Sequence, residues 1–269
     1  MICTAAILAR GLGTRMRCDD AAARMTAGQA AAADTGMKGM IPIGRPFLEY
    51  LISALADAGI SDAVLVVGPE HDAVRHHFTV VAPPTRVRIR FAEQAAPIGT
   101  ANAVVSAARE IAENTFLVLN ADNYYPVEAY RALAAEDSAG TVAFDRDALV
   151  ELGNIDRERV RSFAVLNVTR DGFLAGIIEK PGDALDLPAP TARWVGMNCW
   201  AVTPAIVDAC GRVPMSARGE YELPEAVALA IREGVKIRAI RMAAPVLDLS
   251  RRSDVASVTA RLQAIDPMP

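Results

Sequence analysis

The feature that most constrains the fold of this chain is a regular alternation of short apolar runs and helix-like stretches. The apolar runs, which we predict to be strands, lie at residues 3–9, 63–67, 87–91, 116–119, 141–144, 163–168, 174–179, 195–202 and 236–240. The early strands are separated by predicted helices at residues 47–58, 101–111 and 127–135. Strands that are almost continuously apolar are buried on both faces, and helices between them are typical of a largely parallel sheet.

The alternation changes after about residue 140. Asp171-Gly172 stands between two apolar runs and is typical of a tight hairpin turn, so antiparallel strands are expected to join the sheet. We therefore predict an α/β fold of the Rossmann-like, three-layer α/β/α type, with a mixed, mainly parallel central sheet. Because no linker-like segment or repeat divides the chain, and residues 254–265 read as one amphipathic helix before the end, a single domain over residues 1–269 is predicted.

Composition and charge argue against several classes of protein. A net charge of -4 does not suit a nucleic-acid-binding surface. The apolar runs are too short to span a bilayer, and the N-terminus lacks the charged start and cleavage site of a signal peptide. The four cysteines are scattered, with no Cys-x-x-Cys pair, which is typical of reduced structural thiols. We therefore predict a cytoplasmic protein with no nucleic-acid and no membrane partner.

An alanine-rich segment at residues 19–36 interrupts the early part of the chain. Its alanine runs favour a helix, but it contains few bulky apolar residues that could anchor a helix to the core. We predict a helical insertion that is mobile or loosely docked.

A glycine-rich loop follows the first predicted strand, where residues 10–15 read Arg-Gly-Leu-Gly-Thr-Arg. Glycines let backbone N–H groups approach phosphate oxygens, and Arg15 supplies a cation for a polyphosphate. A dinucleotide-binding loop would need a third glycine and a later acidic residue at set spacings, and that glycine spacing is absent. An oxidoreductase with that fold is therefore disfavoured, while an ordinary tight turn with a surface arginine stays open on this motif alone.

Further motifs follow in chain order. They are Lys-Gly-Met-Ile-Pro at residues 38–42, Gln-Ala-Ala-Pro-Ile-Gly-Thr-Ala at 94–101, Leu-Asn-Ala-Asp-Asn at 119–123, Glu-Lys-Pro at 179–181 and Val-Leu-Asp-Leu at 246–249. Together with the loop, this ordered set resembles the sugar nucleotidyltransferase (nucleotide-sugar pyrophosphorylase) family, which includes glucose-1-phosphate thymidylyl- and uridylyltransferases. The resemblance implies a nucleotidyltransferase (GT-A-like) fold and an enzyme that joins a nucleoside triphosphate to a sugar 1-phosphate, releasing pyrophosphate.

The resemblance also implies a role for each motif residue. It implies a nucleotide-binding half at about residues 1–140, a sugar-phosphate-binding half at about 141–250 and a C-terminal helix at 251–269. The implied nucleotide-binding residues are Leu8, Ala9, Gly11, Gly13, Thr14, Arg15, Gln94, Gly99 and Thr100. The implied sugar-phosphate-binding residues are Glu179, Lys180, Gly196 and Asn198. Arg15, Lys38 and Asp122 are the implied catalytic residues, with the two cations clamping the triphosphate.

Magnesium is the implied cofactor, with Asp122 and Asp248 as its ligands. Hard oxygen ligands suit Mg²⁺, which takes one or two carboxylates together with phosphate oxygens and water. Asp122 follows an apolar strand, so its carboxylate is expected at the sheet edge where open α/β sheets bind ligands. A helix cap for Asp122 and a loop carboxylate for Asp248 stay open as alternatives, and Asp145 and Asp147 are substitutes that no motif supports.

Two departures from the family pattern stand out. Arg10 replaces the first glycine of the usual Gly-Gly pair, which makes the loop bulkier and adds a positive charge near the phosphates. The spacer between Arg15 and Lys38 is also longer than in many relatives, because it contains the alanine-rich segment.

Other functions and several details stay open at this point. A metal-dependent glycosyltransferase is one alternative, although it would carry Asp-x-Asp where this chain has Asp-Asn-Tyr at residues 122–124. A non-catalytic subunit that senses nucleotide sugars is another. The planar amide of Gln94 can pair with uracil or thymine, and purines are also compatible. The sugar and the pathway are not specified, and a homo-oligomer is as compatible with the sequence as a monomer.

Overall fold

The fold was described from a computed structural model, in which residues 1–18, 20–136, 138–179 and 193–269 are described. The strands are β1 Thr4–Leu8, β2 Asp62–Val67, β3 Arg88–Glu93, β4 Phe116–Asn120, β5 Asn123–Tyr124, β6 Gly140–Asp145, β7 Ala164–Val168, β8 Leu174–Ile178, β9 Trp194–Val202, β10 Arg238–Met242 and β11 Leu247–Asp248. The α-helices are α1 Thr14–Arg17, α2 Ala27–Thr35, α3 Phe47–Asp57, α4 Asp72–His76, α5 Thr100–Ala108, α6 Val127–Ala134, α7 Arg146–Leu152, α8 Pro204–Arg212, α9 Leu223–Arg232 and α10 Asp254–Leu262. Short 3₁₀ turns lie at Lys38–Met40 and Arg159–Ser162, and a π-helical turn lies at His77–Val81.

The main sheet has the strand order β10-β6-β9-β4-β1-β2-β3, and the β7–β8 hairpin joins it through β9. Strands β4, β1, β2 and β3 run parallel to one another, and β10 runs parallel to β6. Strand β9 lies antiparallel between β4 and β6. The predicted mixed, mainly parallel sheet is therefore confirmed, and its antiparallel members come from the second half of the chain, as expected.

Helices cover both faces of the sheet because successive strand residues point to opposite sides. Ile7 faces the core that contains α3 and α6, whereas its neighbour Ala6 faces the core that contains α5, α8 and α9. Leu65 and Val64 divide between the two cores in the same way. These two buried layers confirm the predicted three-layer α/β/α architecture.

Helix α2 lies within the alanine-rich segment and is docked, which corrects the expectation of a mobile or loosely docked insertion. Thr26 and Gln29 form a reciprocal capping box at its start, which satisfies two backbone donors. Gln29 is buried and donates from Nε2 to the Pro42 carbonyl at 2.9 Å. Ala33 packs into a third core with Met16 and residues of α3 and α10. The small alanine side chains fit this helix closely against its neighbours, so few bulky residues are needed.

The sheet sets the site by aligning the ends of β1 and β4. These strands are parallel, and Leu8 at the end of β1 is in register with Asn120 at the end of β4. The segments that follow the two strands therefore emerge at the same edge of the sheet.

Among the described residues, no helix has the length and hydropathy that a membrane span requires.

Candidate active site

A cavity of about 390 Å³ opens at the edge where β1 and β4 end. This volume lies in the range of small-molecule sites. Every residue predicted to bind the nucleotide borders it, namely Leu8, Ala9, Gly11, Gly13, Thr14, Arg15, Gln94, Gly99 and Thr100. Lys38 and Asp122 border it as well. The structure thus brings the predicted nucleotide and catalytic residues to one cavity, although their roles stay predictions.

The glycine-rich loop is held against the end of the alanine-rich segment. Gly13 and Gly36 both have positive φ angles, of 61° and 76°, which glycine adopts without the steric cost that other residues meet. A Cβ atom on Gly13 would overlap the carbonyl of Gly36. Arg17 donates to the Thr35 carbonyl at 2.7 Å and adds a second link between the two segments. The loop geometry therefore depends on glycine at both positions.

Two cations and a carboxylate meet at the cavity wall. The Lys38 Nζ atom lies 2.8 Å from Asp122 Oδ2, and their side chains are 16% and 23% exposed. Arg15 is exposed, and no described residue forms a hydrogen bond or ion pair with it. Two positive charges are thus available beside one reachable carboxylate, an arrangement that suits a polyphosphate with a divalent cation.

Arg10 also borders the cavity, and its charge is paired there. Its guanidinium donates to the backbone carbonyl of Gln94 and pairs with Glu70 at 3.2 Å. The Arg10 side chain is only 7% exposed. Arg10 therefore links the glycine-rich loop to the end of β3, and its contribution to the charge near a phosphate stays a prediction.

Gln94 is buried at the end of β3, and its amide orientation is fixed by two acceptors. Its Nε2 atom donates to the Gly99 carbonyl at 3.0 Å and to Asn102 Oδ1 at 3.0 Å. These bonds use both N–H groups of the amide. Only the Oε1 atom, an acceptor, remains available to a nucleotide base.

The loop around Gly99 is supported by the segment that precedes α9. Ala101 donates its backbone N–H to the Tyr221 carbonyl at 2.8 Å, and the Leu223 N–H donates to Thr100 Oγ1 at 2.9 Å. Glu220, from the same segment, borders the cavity. The Thr100 hydroxyl therefore accepts a bond at the start of a helix as well as bordering the cavity.

The described members of the predicted sugar-phosphate set do not border this cavity. Lys180 lies outside the described residues, and Glu179, Gly196 and Asn198 are not among the described residues that border the cavity. Gly196 is buried in β9, where a Cβ atom would lie 3.1 Å from Leu166 Cδ2. Gly196 thus lies in close packing between β9 and β7, where a larger residue would press on Leu166.

Asn198 has an unusual backbone conformation for a residue inside a strand. Its φ of 54° lies in the left-handed region, and among the described residues it is the only non-glycine residue with a positive φ. Its Oδ1 atom accepts from Trp200 Nε1 at 3.4 Å, and Tyr125 donates to its backbone carbonyl at 3.3 Å. Such strain is found preferentially at functional positions, so Asn198 keeps its predicted role as a candidate.

Asp248 is brought close to Asp122 by a short antiparallel ladder between β5 and β11. Asp248 pairs with Asn123, and the Leu249 N–H donates to the Asp122 carbonyl at 2.8 Å. The Asp248 carboxylate is buried and forms an ion pair with Arg159. Burial raises the pKa of Asp248 to about 6, and the nearby Asp122 carboxylate adds to the rise while Arg159 opposes it.

Arg159 also pairs with Asp254 at 2.6 Å. Although burial alone would lower it, the pKa of Arg159 is raised above its usual range because Asp248 and Asp254 stabilise the charged form. The guanidinium therefore stays charged and lies between two carboxylates.

Comparison with known proteins decides the family. The Nucleotidyl transferase family model matches residues 33–243, which is more than half of the chain. The chain belongs to the nucleotidyl transferase family. Like its relatives, this nucleotidyl transferase is an enzyme, and its sheet is the one found in solved structures of the family.

Two relatives show how far the similarity extends. The chain is 30% identical over 262 residues to UTP–glucose-1-phosphate uridylyltransferase AglF of Haloferax volcanii, and the match covers 96% of each chain. It is 27% identical over 258 residues to a glucose-1-phosphate thymidylyltransferase of Streptomyces griseus, where the match covers 94% of this chain and 64% of that protein.

Among solved structures, UDP-glucose pyrophosphorylase complexed with UDP-glucose superposes with a TM-score of 0.75 at 16% identity, over 98% of this chain and 99% of that chain. The inositol-1-phosphate CTP transferase from T. maritima superposes with a TM-score of 0.74 at 16% identity, over 97% and 96% of the two chains. At this level of identity the two structures establish the shared fold.

A magnesium ion fits one of the two predicted carboxylates in this nucleotidyl transferase. No group of three or more His, Cys, Asp or Glu side chains within the described ranges could hold a metal ion. Any bound cation would therefore depend on one or two carboxylates and on substrate phosphates, which Mg²⁺ accepts. Asp122 borders the cavity and one of its oxygens accepts only from Lys38, whereas both oxygens of Asp248 already accept hydrogen bonds.

Sequence reasoning missed Asn102, Glu220 and Arg159. Asn102 fixes the amide of Gln94, Glu220 borders the cavity, and Arg159 neutralises Asp248. Glu220 does lie in a Gly-Glu-Tyr-Glu segment at residues 219–222 that resembles a family motif, but the sequence pattern there is interpreted as a helix start and gives Glu220 no place in the site. For Arg159 we find no sequence signal, because it lies in a run of charged residues that is typical of a solvated surface.

Proposed function

We propose that this enzyme transfers a nucleotidyl group from a nucleoside triphosphate to a sugar 1-phosphate, giving a nucleotide sugar and pyrophosphate, with Mg²⁺ as cofactor. The observation that carries the proposal is the meeting of Arg15, Lys38 and Asp122 at one wall of the cavity. The names of the relatives, which include uridylyl- and thymidylyltransferases of glucose 1-phosphate, support the same reaction.

The proposed reaction needs little covalent chemistry from the protein. An oxygen of the sugar 1-phosphate attacks the α-phosphorus, and a new P–O bond forms as the bond to the oxygen that bridges the α- and β-phosphates breaks. Pyrophosphate leaves with the electron pair of that bond. Positioning and charge neutralisation account for most catalysis in reactions of this class.

The basic residues supply the neutralisation that the protein itself can provide. Arg15 is free to contact the triphosphate, because no described residue pairs with it. Lys38 is held beside Asp122 at 2.8 Å, so a phosphoryl oxygen at the cavity wall would share its charge. Fixed cations aimed at developing negative charge stabilise the transition state more than the ground state.

Asp122 is the residue that would hold magnesium in this proposal. Bound Mg²⁺ would neutralise charge on the phosphoryl oxygens of the nucleotide. Asp122 would keep its carboxylate directed at the cavity, and Lys38 would orient it through their ion pair.

The names of the relatives, a uridylyltransferase and a thymidylyltransferase, support uridine or thymidine as the nucleoside. Both N–H groups of the Gln94 amide are used by Gly99 and Asn102, so a base in contact with Gln94 must offer a donor to Oε1. The N3–H of uracil and thymine is such a donor, as are the N1–H of guanine and the amino groups of cytosine and adenine, so this contact is compatible with uridine and thymidine without selecting them. Glucose 1-phosphate is the first acceptor to test, because the relatives are named for it.

The location of the protein also remains a proposal. Cys3, Cys18, Cys199 and Cys210 are free thiols, and burial raises the pKa of Cys210 to about 12. Unpaired cysteines support the cytoplasm as the compartment. The homo-oligomer stays an untested prediction.

A matrix of substrates tests the reaction. UTP, dTTP, CTP, GTP and ATP are each combined with glucose 1-phosphate and other sugar 1-phosphates, and pyrophosphate and nucleotide sugar are measured. We expect equal amounts of both products from UTP or dTTP, loss of turnover with EDTA and recovery with excess Mg²⁺. Release of a nucleoside diphosphate, or no turnover with any pair, would contradict the proposal.

A further inference from the structure

A buried ionic cluster, formed by Arg159, Asp248 and Asp254, adjoins the cavity wall through the β5–β11 ladder. The side chains of Arg159, Asp248 and Asp254 are 4%, 3% and 8% exposed. Asp248 is not among the described residues that border the cavity, whereas Asp122 is. The two carboxylates that the family resemblance pairs at a metal thus differ in access.

The Asp248 carboxylate has no free oxygen to offer. Its Oδ1 atom accepts from Ser250 Oγ at 2.8 Å and from Asn123 Nδ2 at 3.2 Å. Its Oδ2 atom accepts from the Arg159 guanidinium, which is always charged. A divalent cation at Oδ2 would face a buried positive charge at hydrogen-bond distance from the same atom.

Arg159 is fixed at both ends and cannot turn away at little cost. Its backbone N–H donates to Asp156 Oδ1 at 2.7 Å, and its carbonyl accepts from Ser162 Oγ at 2.7 Å. At the other end Asp254 holds the guanidinium, and Asp254 itself accepts from the Ser250 and Arg251 N–H groups. Removing one partner from such a buried pair leaves an uncompensated charge.

We propose that Arg159 is the resident counter-ion of Asp248, so that Asp248 positions the cavity wall and Asp122 is the carboxylate that binds the divalent cation. Asp248 acts on Asp122 through the neighbouring residue, because its Oδ1 atom accepts from the Asn123 side chain. The Leu249 N–H fixes the Asp122 carbonyl at 2.8 Å from the same strand. The proposal rests on the divalent-cation dependence proposed above.

The test uses Mn²⁺ as a spectroscopic substitute for Mg²⁺ on the whole protein. Free Mn²⁺ is followed by electron paramagnetic resonance during titration, with Mn²⁺ alone and with α,β-methylene-UTP present. Wild type, Asp122→Asn, Asp248→Asn and the exposed control Asp72→Asn are compared. Asn preserves the shape of each carboxylate, and the Asp72 side chain is 92% exposed on α4.

We expect Asp248→Asn to change the Mn²⁺ affinity less than about threefold, as the control does, since neither residue is a ligand. Asp122→Asn should weaken it about tenfold or more. A loss of more than about threefold in Asp248→Asn, with its thermal midpoint close to wild type, would overturn the inference, because the Asn oxygen can still accept from Ser250 and Asn123 and only the charge that a metal ligand needs is removed.

A second variant, Arg159→Gln, keeps the inference open to refutation if Asp248→Asn does not fold. Removal of the counter-ion frees Asp248 as a second carboxylate, so Mn²⁺ alone should bind about fivefold more tightly in a folded Arg159→Gln protein. Unchanged or weaker binding there would overturn the inference. If wild type itself binds no Mn²⁺ with the nucleotide analogue, the proposed cation dependence fails, and this outcome is distinct from a loss confined to Asp248→Asn.

Discussion

The surroundings of Asp122 and of Asp248 differ sharply although one two-stranded ladder joins them. Asp122 borders the cavity, is 23% exposed and pairs with Lys38, whose side chain is also partly open. Asp248 is 3% exposed and pairs with Arg159 in the interior. A motif at a strand end therefore predicts where a carboxylate lies, but residues distant in sequence decide whether a ligand can use it.

The largest effect that would sharpen this contrast is loss of turnover in Asp122→Asn. We expect the rate to fall by ~100-fold with the fold preserved, because the variant loses the carboxylate proposed to hold the cation that neutralises the reacting phosphate. Asp72→Asn, at an exposed aspartate on α4, serves as the matched control and should keep wild-type turnover. Near-normal rates in Asp122→Asn would show that the Asp122 carboxylate takes no part in the reaction.

In the buried ionic cluster, the expected effect of a substitution is on stability. Asp254→Asn leaves Arg159 with one charged partner and weakens the acceptor for the Ser250 and Arg251 N–H groups. We expect the free energy of unfolding in urea to fall by about 2 kcal/mol, with turnover close to wild type at a temperature where the variant is folded. If turnover is lost while stability is unchanged, Asp254 matters for the reaction, as Asp122 does, and the contrast between the two carboxylate surroundings fails.

The smallest expected effect is on the affinity of the cavity for the nucleoside triphosphate. Arg15→Ala removes an exposed cation that no described residue pairs with, so the folded state should lose little stability. The KM for the nucleoside triphosphate should rise by about tenfold, because one charge-assisted contact is lost. Arg24→Ala, an exposed arginine in the alanine-rich segment, is the control and should leave KM unchanged. An equal KM for both variants would exclude Arg15 from nucleotide binding.

Much of the sheet could be predicted because its strands carry their own signal. β1, β2 and β4 are apolar on both faces, and each is followed by a helix or a turn. The position of β9 could not be predicted, because its pairing with β4 and β6 depends on contacts distant in sequence. β5 and β11 have two residues each and are too short to show the pattern of apolar residues from which a strand is predicted.

The site was predictable where a motif coincides with a strand end. Gly13 and Asp122 follow β1 and β4, and the parallel register brings them to the same edge. The burial of Asp248 was not predictable, because its partner Arg159 lies in a stretch at residues 156–161 where Val160 is the only apolar residue and no apolar period indicates a core position. The roles of Glu179, Lys180, Gly196 and Asn198 stay predictions, as does the division of the chain at about residue 140.

The contact between Gly13 and Gly36 has a consequence for the history of the chain. Two backbones meet there with no room for a side chain on Gly13, so neither segment can change its path unless the other changes with it. The alanine-rich segment is therefore not a detachable appendage that could be trimmed or grafted onto a relative. Mutational drift in the two segments must be correlated, and a transplant of either one alone would disrupt the loop beside the cavity.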